Sequence, residues 1–369
     1  MREGDLPYLL VLKKVPGIGD IRARELLHKY GSPKETYKAL QSNEIRLSLA
    51  TKKAITPSVL QKWLDSAYSE IEVMQKEGIQ YLYIGDAAYP NRLKHCEDAP
   101  IVLFYKGNIT WNAPRSISIV GTRTATNYGL EFCRKLISDL QALEVQIVSG
   151  LAFGIDIQAH LAALDQGLET VACLAHGLHT TSPASHAKYV EEIQKNGGII
   201  SEFPTDAIMD KKNFVRRNRI IAGLSQATVV VESPIRGGSL LTADMANSYN
   251  REVFALPGRI DNSKSVGCNT LIKTNQARLI QSAADLVYIL NWDLEKVSKP
   301  KATQMPLFID LDPEEEKLFD LLKTKGKENL DLLAIEAAMS PQKAASLLLG
   351  LELKGVIRTL PGKQFELIN

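Results

Sequence analysis

The run Lys211-Lys212-Asn213-Phe214-Val215-Arg216-Arg217-Asn218-Arg219 sets five basic side chains around one aromatic ring, with no acid among them. Cations meet backbone phosphates and a ring gives a base a surface to stack on, so this mixture suits a single nucleic-acid strand. The same run also reads as a solvated helix start, because Arg219 leads into Ile220-Ile221-Ala222-Gly223. Three glycine-bearing turns share its chemistry. Ile119-Val120-Gly121-Thr122-Arg123-Thr124 has the form of a strand entering a turn, where exposed N–H groups and one guanidinium can hold a phosphate. In Val148-Ser149-Gly150-Leu151-Ala152-Phe153-Gly154-Ile155-Asp156, Ser149 and Gly150 offer donors to a second oxyanion. Arg236-Gly237-Gly238-Ser239-Leu240-Leu241-Thr242 has the composition of a third anion nest at a helix start. Together they point to a ligand with several phosphates.

Other chemistries find less support. Asp156 and His160, four apart, share a helix face and are read as a hydrogen-bonded structural pair, since no serine or cysteine nucleophile has an elbow sequence. Neither G-x-G-x-x-G nor the phosphate-binding G-x-x-x-x-G-K-[ST] occurs, so neither a dinucleotide fold nor an ATP motor is indicated. His176, His179 and His186 share a loop without a neighbouring cysteine or carboxylate and are read as polar loop residues, with no metal or cofactor implied. Cys96, Cys133, Cys173 and Cys268 form no C-x-x-C pair and read as buried thiols. A formal charge of +2 across 369 residues excludes a polybasic coating protein, so any nucleic-acid site must be local.

These motifs need a frame that aims them at one place. Short β-rich runs at 117–120, 145–148, 170–174, 198–200 and 228–231 alternate with helical stretches, the pattern of a parallel α/β sheet covered on both faces. In such sheets ligands bind where strand ends feed helix starts, and the glycine turns fall at that edge. Residues 1–80 read as helical, with Val15-Pro16-Gly17-Ile18-Gly19 resembling a helix-hairpin-helix turn. Plain packing is the favoured reading of that hairpin; Lys13, Lys14, Arg22 and Arg24 are its candidate DNA contacts. Residues 299–313 carry three prolines and read as a linker between a central domain at 81–298 and a small domain at 314–369. That last domain has helices at 314–323 and 330–338, and a third capped by Ser340 with Pro341 at its first position. A hairpin of 355–358 and 364–367 about Pro361-Gly362 completes a winged-helix pattern. With eleven Asp/Glu against eight Lys/Arg over 305–369, it reads as a protein-contact or accessory domain rather than a reader of duplex DNA. No apolar stretch suits a membrane span, and the chain is expected to be cytoplasmic.

The ordered motifs GTRTATNYG, SGLAFGID, GGIISEFP, FVRRNRIIAGLS, GGSLLTA and ALPG, spread over about 117–275, closely resemble the DNA-processing protein A (DprA/Smf) family. The helical hairpin before them and the winged helix after them resemble that family's flanking domains. The resemblance implies an extended Rossmann-like core with a helix-hairpin-helix or SAM-like domain before it. It implies a homodimer that binds single-stranded DNA, protects incoming strands and helps load RecA in natural transformation, not an enzyme. Carried onto this sequence, Gly121, Arg123, Ser149, Gly150 and Gly154 would cradle phosphate; Phe214, Arg216, Arg217, Asn218 and Arg219 would shape the strand site; Gly237, Gly238, Ser239 and Thr242 would close it. The chain departs from the family at Gly177-Leu178-His179, at Ser182-Pro183 and at Lys273-Thr274-Asn275-Gln276-Ala277, near the expected rim, where Lys188 is the candidate compensating charge.

Two rival readings remain. One is a nucleotide sensor or a phosphoribohydrolase-like enzyme on the same fold, although Leu256-Pro257-Gly258-Arg259-Ile260 lacks the second glycine and the Gly-Thr of those enzymes. The other is an adaptor whose DNA site has decayed, against which Arg123, Arg217 and Arg219 stand.

Overall fold

The structure, a computed structural model, describes residues 4–292, 311–354, 356–360 and 364–367. It divides into two compact units, Met1–Glu295 and Lys296–Asn369. Most of the expected linker, and the Gly355 and Pro361-Gly362 positions of the expected wing, lie outside the described residues.

The first unit opens with α1 (Leu6–Lys14), α2 (Asp20–Tyr30), α3 (Pro33–Gln41), α4 (Leu49–Ala54) and α5 (Pro57–Lys76). Local chemistry sets their ends. Gly31 adopts φ +80° and stops α2, while Ser32 and Thr56 cap α3 and α5 through side-chain acceptors, each followed by proline at the first helical position. These helices do not form a domain apart from the sheet. One continuous apolar core joins Leu9, Leu12 and Leu60 to Val120, Val148, Ile200 and Ile221.

The sheet follows through β1 (Gln80–Tyr83), α6 (Asn91–Lys94), β2 (Val102–Gly107), β3 (Ser116–Val120), α7 (Asn127–Asp139), β4 (Gln146–Ser149), α8 (Ile155–Asp165), β5 (Thr170–Cys173), α9 (Ala187–Lys195), β6 (Gly197–Ser201), α10 (Lys211–Leu224), β7 (Ala227–Val230), α11 (Gly238–Ser248), β8 (Glu252–Ala255), α12 (Val266–Lys273), β9 (Arg278–Leu279) and α13 (Ala283–Ile289). Strand order is β1-β2-β6-β5-β4-β3-β7-β8-β9. From β6 to β9 all pairs are parallel, and every residue of β3 to β7 is buried, as strands covered on both faces must be. The parallel core is extended at one edge, where β2 pairs antiparallel with β6, and β1 with β2. The chain builds outward from β3 through β4, β5 and β6, then returns to lay β7 on the other side of β3. The connections leaving β3 and β7 therefore run to opposite sides at a topological switch point, where an open α/β sheet forms its crevice.

The second unit holds α14 (Pro313–Lys325), β10 (Lys327–Asn329), α15 (Leu330–Glu336), α16 (Pro341–Leu353), β11 (Ile357–Leu360) and β12 (Gln364–Leu367). Its core is Leu318, Leu322, Leu333, Leu348, Leu351, Val356 and Ile357. Ser340 caps α16 as the sequence indicates, accepting from the Lys343 amide at 3.3 Å. A third strand joins the anticipated wing, in the order β10-β12-β11. No described helix in either unit is long and apolar enough to cross a membrane.

Candidate functional site

A cleft of about 660 Å³ opens at the β3/β7 switch point. Its lining draws together Gly121 and Arg123 from the turn after β3, Phe214, Arg217 and Asn218 from α10, and Gly237, Gly238, Ser239 and Thr242 from the start of α11. Segments a hundred residues apart thus converge as their shared chemistry suggests.

The Gly121 turn is held from below. The Thr122 amide donates to the Glu232 carbonyl at 2.7 Å, and a Cβ on Gly121 would lie 2.5 Å from Ile155. The Glu232 carboxylate, 1% exposed, accepts from the amide of Thr126 (2.8 Å) and from its hydroxyl (2.6 Å). Gly154, at φ +77°, is needed where its missing Cβ would fall 2.2 Å from the Thr122 carbonyl; it backs the turn rather than lining the cleft. Arg123 stands exposed on this braced turn, its guanidinium 5.7 Å from the centroid of the Phe214 ring.

Beneath lies a buried charged floor. Arg217 Nη1 donates to the Gly150 carbonyl at 2.6 Å and to the Cys173 carbonyl, and Arg217 Nε to Asn218 Oδ1 at 3.2 Å. Burial pushes the Asp156 carboxyl up; Arg217 and the amides of Ala152 and Gly150 pull the other way without cancelling it. Neither Ser149 nor Gly150 lines the cleft as expected: Gly150 serves this floor, and Ser149 ties β4 to β3. The Ser149 hydroxyl is wholly buried and donates to the Ile119 carbonyl at 2.6 Å, and a Cβ on Gly150 would meet Arg217 and Asp156 at 2.6 Å. Asp156 and His160 likewise do not form the expected pair: His160 Nδ1 lies 2.7 Å from Thr170 Oγ1. Burial, with Arg217 and His186 nearby, pushes His160 down to about 3, so its ring is neutral in the fold.

The third wall is the uncapped start of α11. A Cβ on Gly237 would lie 2.2 Å from Ser233 Oγ, whereas Gly238 faces open space. Ser239 Oγ donates to Ser233 Oγ at 2.8 Å, and Asn218 Nδ2 reaches the Gly238 carbonyl at 3.4 Å, tying α10 to α11. Helix-start amides without a side-chain cap, opening on a cleft, are anion donors.

Three expected site residues lie elsewhere. Arg216 and Arg219 turn away from the cleft onto Asp20 and Glu202, with nitrogen to oxygen distances of 2.6 to 2.9 Å. Lys188 stands on α9 with its ammonium 4.8 Å from the Tyr189 ring centroid. The departures from the family pattern also miss the cleft. Gly177 packs against Pro204 and Thr205, the Ser182 amide donates to His176 Nε2 (3.1 Å), and 273–277 follows α12 beside β8 and β9. Helical phase carries the signal that separates these residues. Lys211, Phe214, Val215 and Asn218 recur at i, i+3, i+4 and i+7 and line the cleft, whereas Arg216 and Arg219, three apart, face the other way. Lys211, part of the basic run, and Val215 thereby join the residues that line the cleft.

The hairpin at 15–19 buries Val15 and Ile18 and leaves Pro16, Gly17 and Gly19 exposed. The Asp20 carboxylate that starts α2 is buried; burial pushes it up, but Lys13, Arg219 and Arg216 bring it down to about 2. Arg24 donates to the Cys96 carbonyl (3.1 Å), Arg22 to the Arg46 carbonyl, and Lys14 to Ser66 Oγ (2.9 Å).

Residues 80–291 match the family model described as DNA recombination-mediator protein A, and residues 300–363 match the DprA winged helix domain. The Smf protein of Synechocystis is 30% identical over 398 residues, covering 99% of this chain and all of its own length. DNA processing protein A from Streptococcus pneumoniae superposes with a TM-score of 0.63 at 30% identity, over 76% of this chain and 97% of its own. DNA processing protein A from Helicobacter pylori, described for its single-stranded DNA binding mode, superposes with a TM-score of 0.52 at 30% identity, over 57% of this chain and 96% of its own.

Proposed function

Because the chain belongs to the DNA recombination-mediator protein A (DprA/Smf) family, we propose that the β3/β7 cleft holds single-stranded DNA and that the protein mediates recombination of that strand. The carrying observation is the Arg123 guanidinium over the Phe214 ring, on one wall of a cleft whose opposite wall is an uncapped helix start. Phosphates meet Arg123, Lys211 and the α11 amides, while a base stacks on Phe214 with Val215 beside it. Backbone charge and a ring face serve every base alike, so this geometry favours binding tolerant of sequence.

The reading is of a binding protein rather than a nucleotide hydrolase. Asp156, the carboxylate lining the cleft, is buried with the Arg217 guanidinium on the far side of Gly150, and Glu232 is held by the amide and hydroxyl of Thr126, so neither is placed to activate water. Family membership also carries the rest of the proposal: assembly as a homodimer, delivery of the strand to RecA, and a place in natural transformation. Titration of a fluorescent oligonucleotide, competed with duplex DNA and free nucleotides, tests the central part. Preference for the single strand supports a mediator; preference for a nucleotide supports the sensor or enzyme.

A further inference from the structure

The half of α10 that carries Lys211 and Phe214 has little apolar support. Buried residues of this helix begin only at Arg217, and before it Ile208, Met209 and Val215 are 86%, 52% and 43% exposed. What holds the stretch 205–219 is a set of polar ties from three helices of the N-terminal segment. Glu70 on α5 accepts from the Thr205 amide at 2.6 Å and from its hydroxyl at 2.5 Å. Lys14 at the end of α1 meets Asp206 at 3.0 Å. Asp20 at the start of α2 receives Arg216 at 2.7 Å and Arg219 at 2.9 Å, and both arginines also reach Glu202 Oε2. Asp20, Glu70 and Glu202 are buried, so each tie is directional and costly to break.

We propose that the N-terminal helical segment positions the strand site: Glu70, Lys14 and Asp20 fix the entry to α10 and its first two turns, and so the wall bearing Lys211 and Phe214. The inference rests on the cleft being the strand site. It gives the glycine hairpin a purpose other than touching DNA, since the turn sets Asp20 at the head of α2, against two arginines of α10. None of these three residues lines the cleft. They are positioning residues that act through α10.

The sign of the effect separates this role from simple charge. Glu70→Gln and Asp20→Asn each remove a negative charge, which by itself tightens DNA binding. Loosened positioning instead weakens strand affinity, by about fivefold, and the loss shrinks below about twofold when the same change is made in Phe214→Ala protein, because the group being positioned is gone. The test is strand titration of the full chain for wild type, each single variant and each double variant, with thermal melting to confirm folding. Asp206→Asn, at a half-exposed carboxylate, is read the same way if the buried variants do not fold. Affinity equal to or tighter than wild type overturns the inference, as does a loss that persists undiminished without Phe214. If Phe214→Ala alone binds like wild type, the cleft itself is misassigned and the inference falls with it.

Discussion

The cleft and the winged helix contain the same kinds of charged residue and use them in opposite ways. In the winged helix four of the cations are paired inside the unit: Lys325 with Glu336, Lys343 with Glu314, Lys354 with Glu315 and Arg358 with Glu366. Lys343 and Lys354, which α16 would present to a duplex groove, both face acids of α14. Along the cleft, Arg123 and Lys211 enter no ion pair among the described residues, and the acid beneath them, Asp156, is buried. Availability of positive charge, more than its count, distinguishes a surface ready for phosphate from one that must first break its own bonds.

The largest effect expected from this contrast concerns the floor. Arg217→Ala leaves the Gly150 and Cys173 carbonyls buried without their donor and should destabilise the first unit by about 2 to 4 kcal/mol, read by chemical denaturation, while the melting of the winged helix stays in place. Equal loss in both units would break the division between them. Phe214→Ala should lower strand affinity by about 1 to 3 kcal/mol if the ring stacks on a base, with little change in melting temperature.

Acid should also separate the units, because all six histidines lie in the first. Burial holds His160 near 3, below its unfolded value of about 6.5, so the neutral ring's contribution is intact above that value and is lost as pH falls towards 3. By pH 5 this amounts to about 2 kcal/mol, visible as an acid-sensitive transition that His160→Gln flattens. Arg123→Ala should reduce the salt dependence of strand binding by about one unit, the signature of one lost phosphate contact. Lys343→Gln and Lys354→Gln, at the low end, should change strand affinity by less than about twofold, as befits residues already paired. A larger loss would return the winged helix to the DNA site.

Much of this contrast can be read in the sequence, though not all. The strands from β3 to β7 announce themselves because burial on both faces makes them short continuous apolar runs, and glycines mark the turns that backbone must approach closely. The edge strands β1 and β2 lack that signal: only half of β2 is fully buried, and β1 buries only Leu82. The fates of Arg216 and Arg219 stay hidden because their partner Asp20 lies 196 and 199 residues away, a pairing no local window contains. A basic run gives charge, whereas its helical phase and tertiary partners decide which charge remains available. The place of Gly150 stays hidden for the same reason, since the arginine that takes its carbonyl comes from α10.

The most direct test is hydrogen exchange of the full chain with and without a saturating single-stranded oligonucleotide. The account predicts slowed exchange at 121–126, 211–218 and 234–242, with α15 and α16 unchanged. Protection along α16 and the β11–β12 pair, with those three segments unaffected, would contradict it.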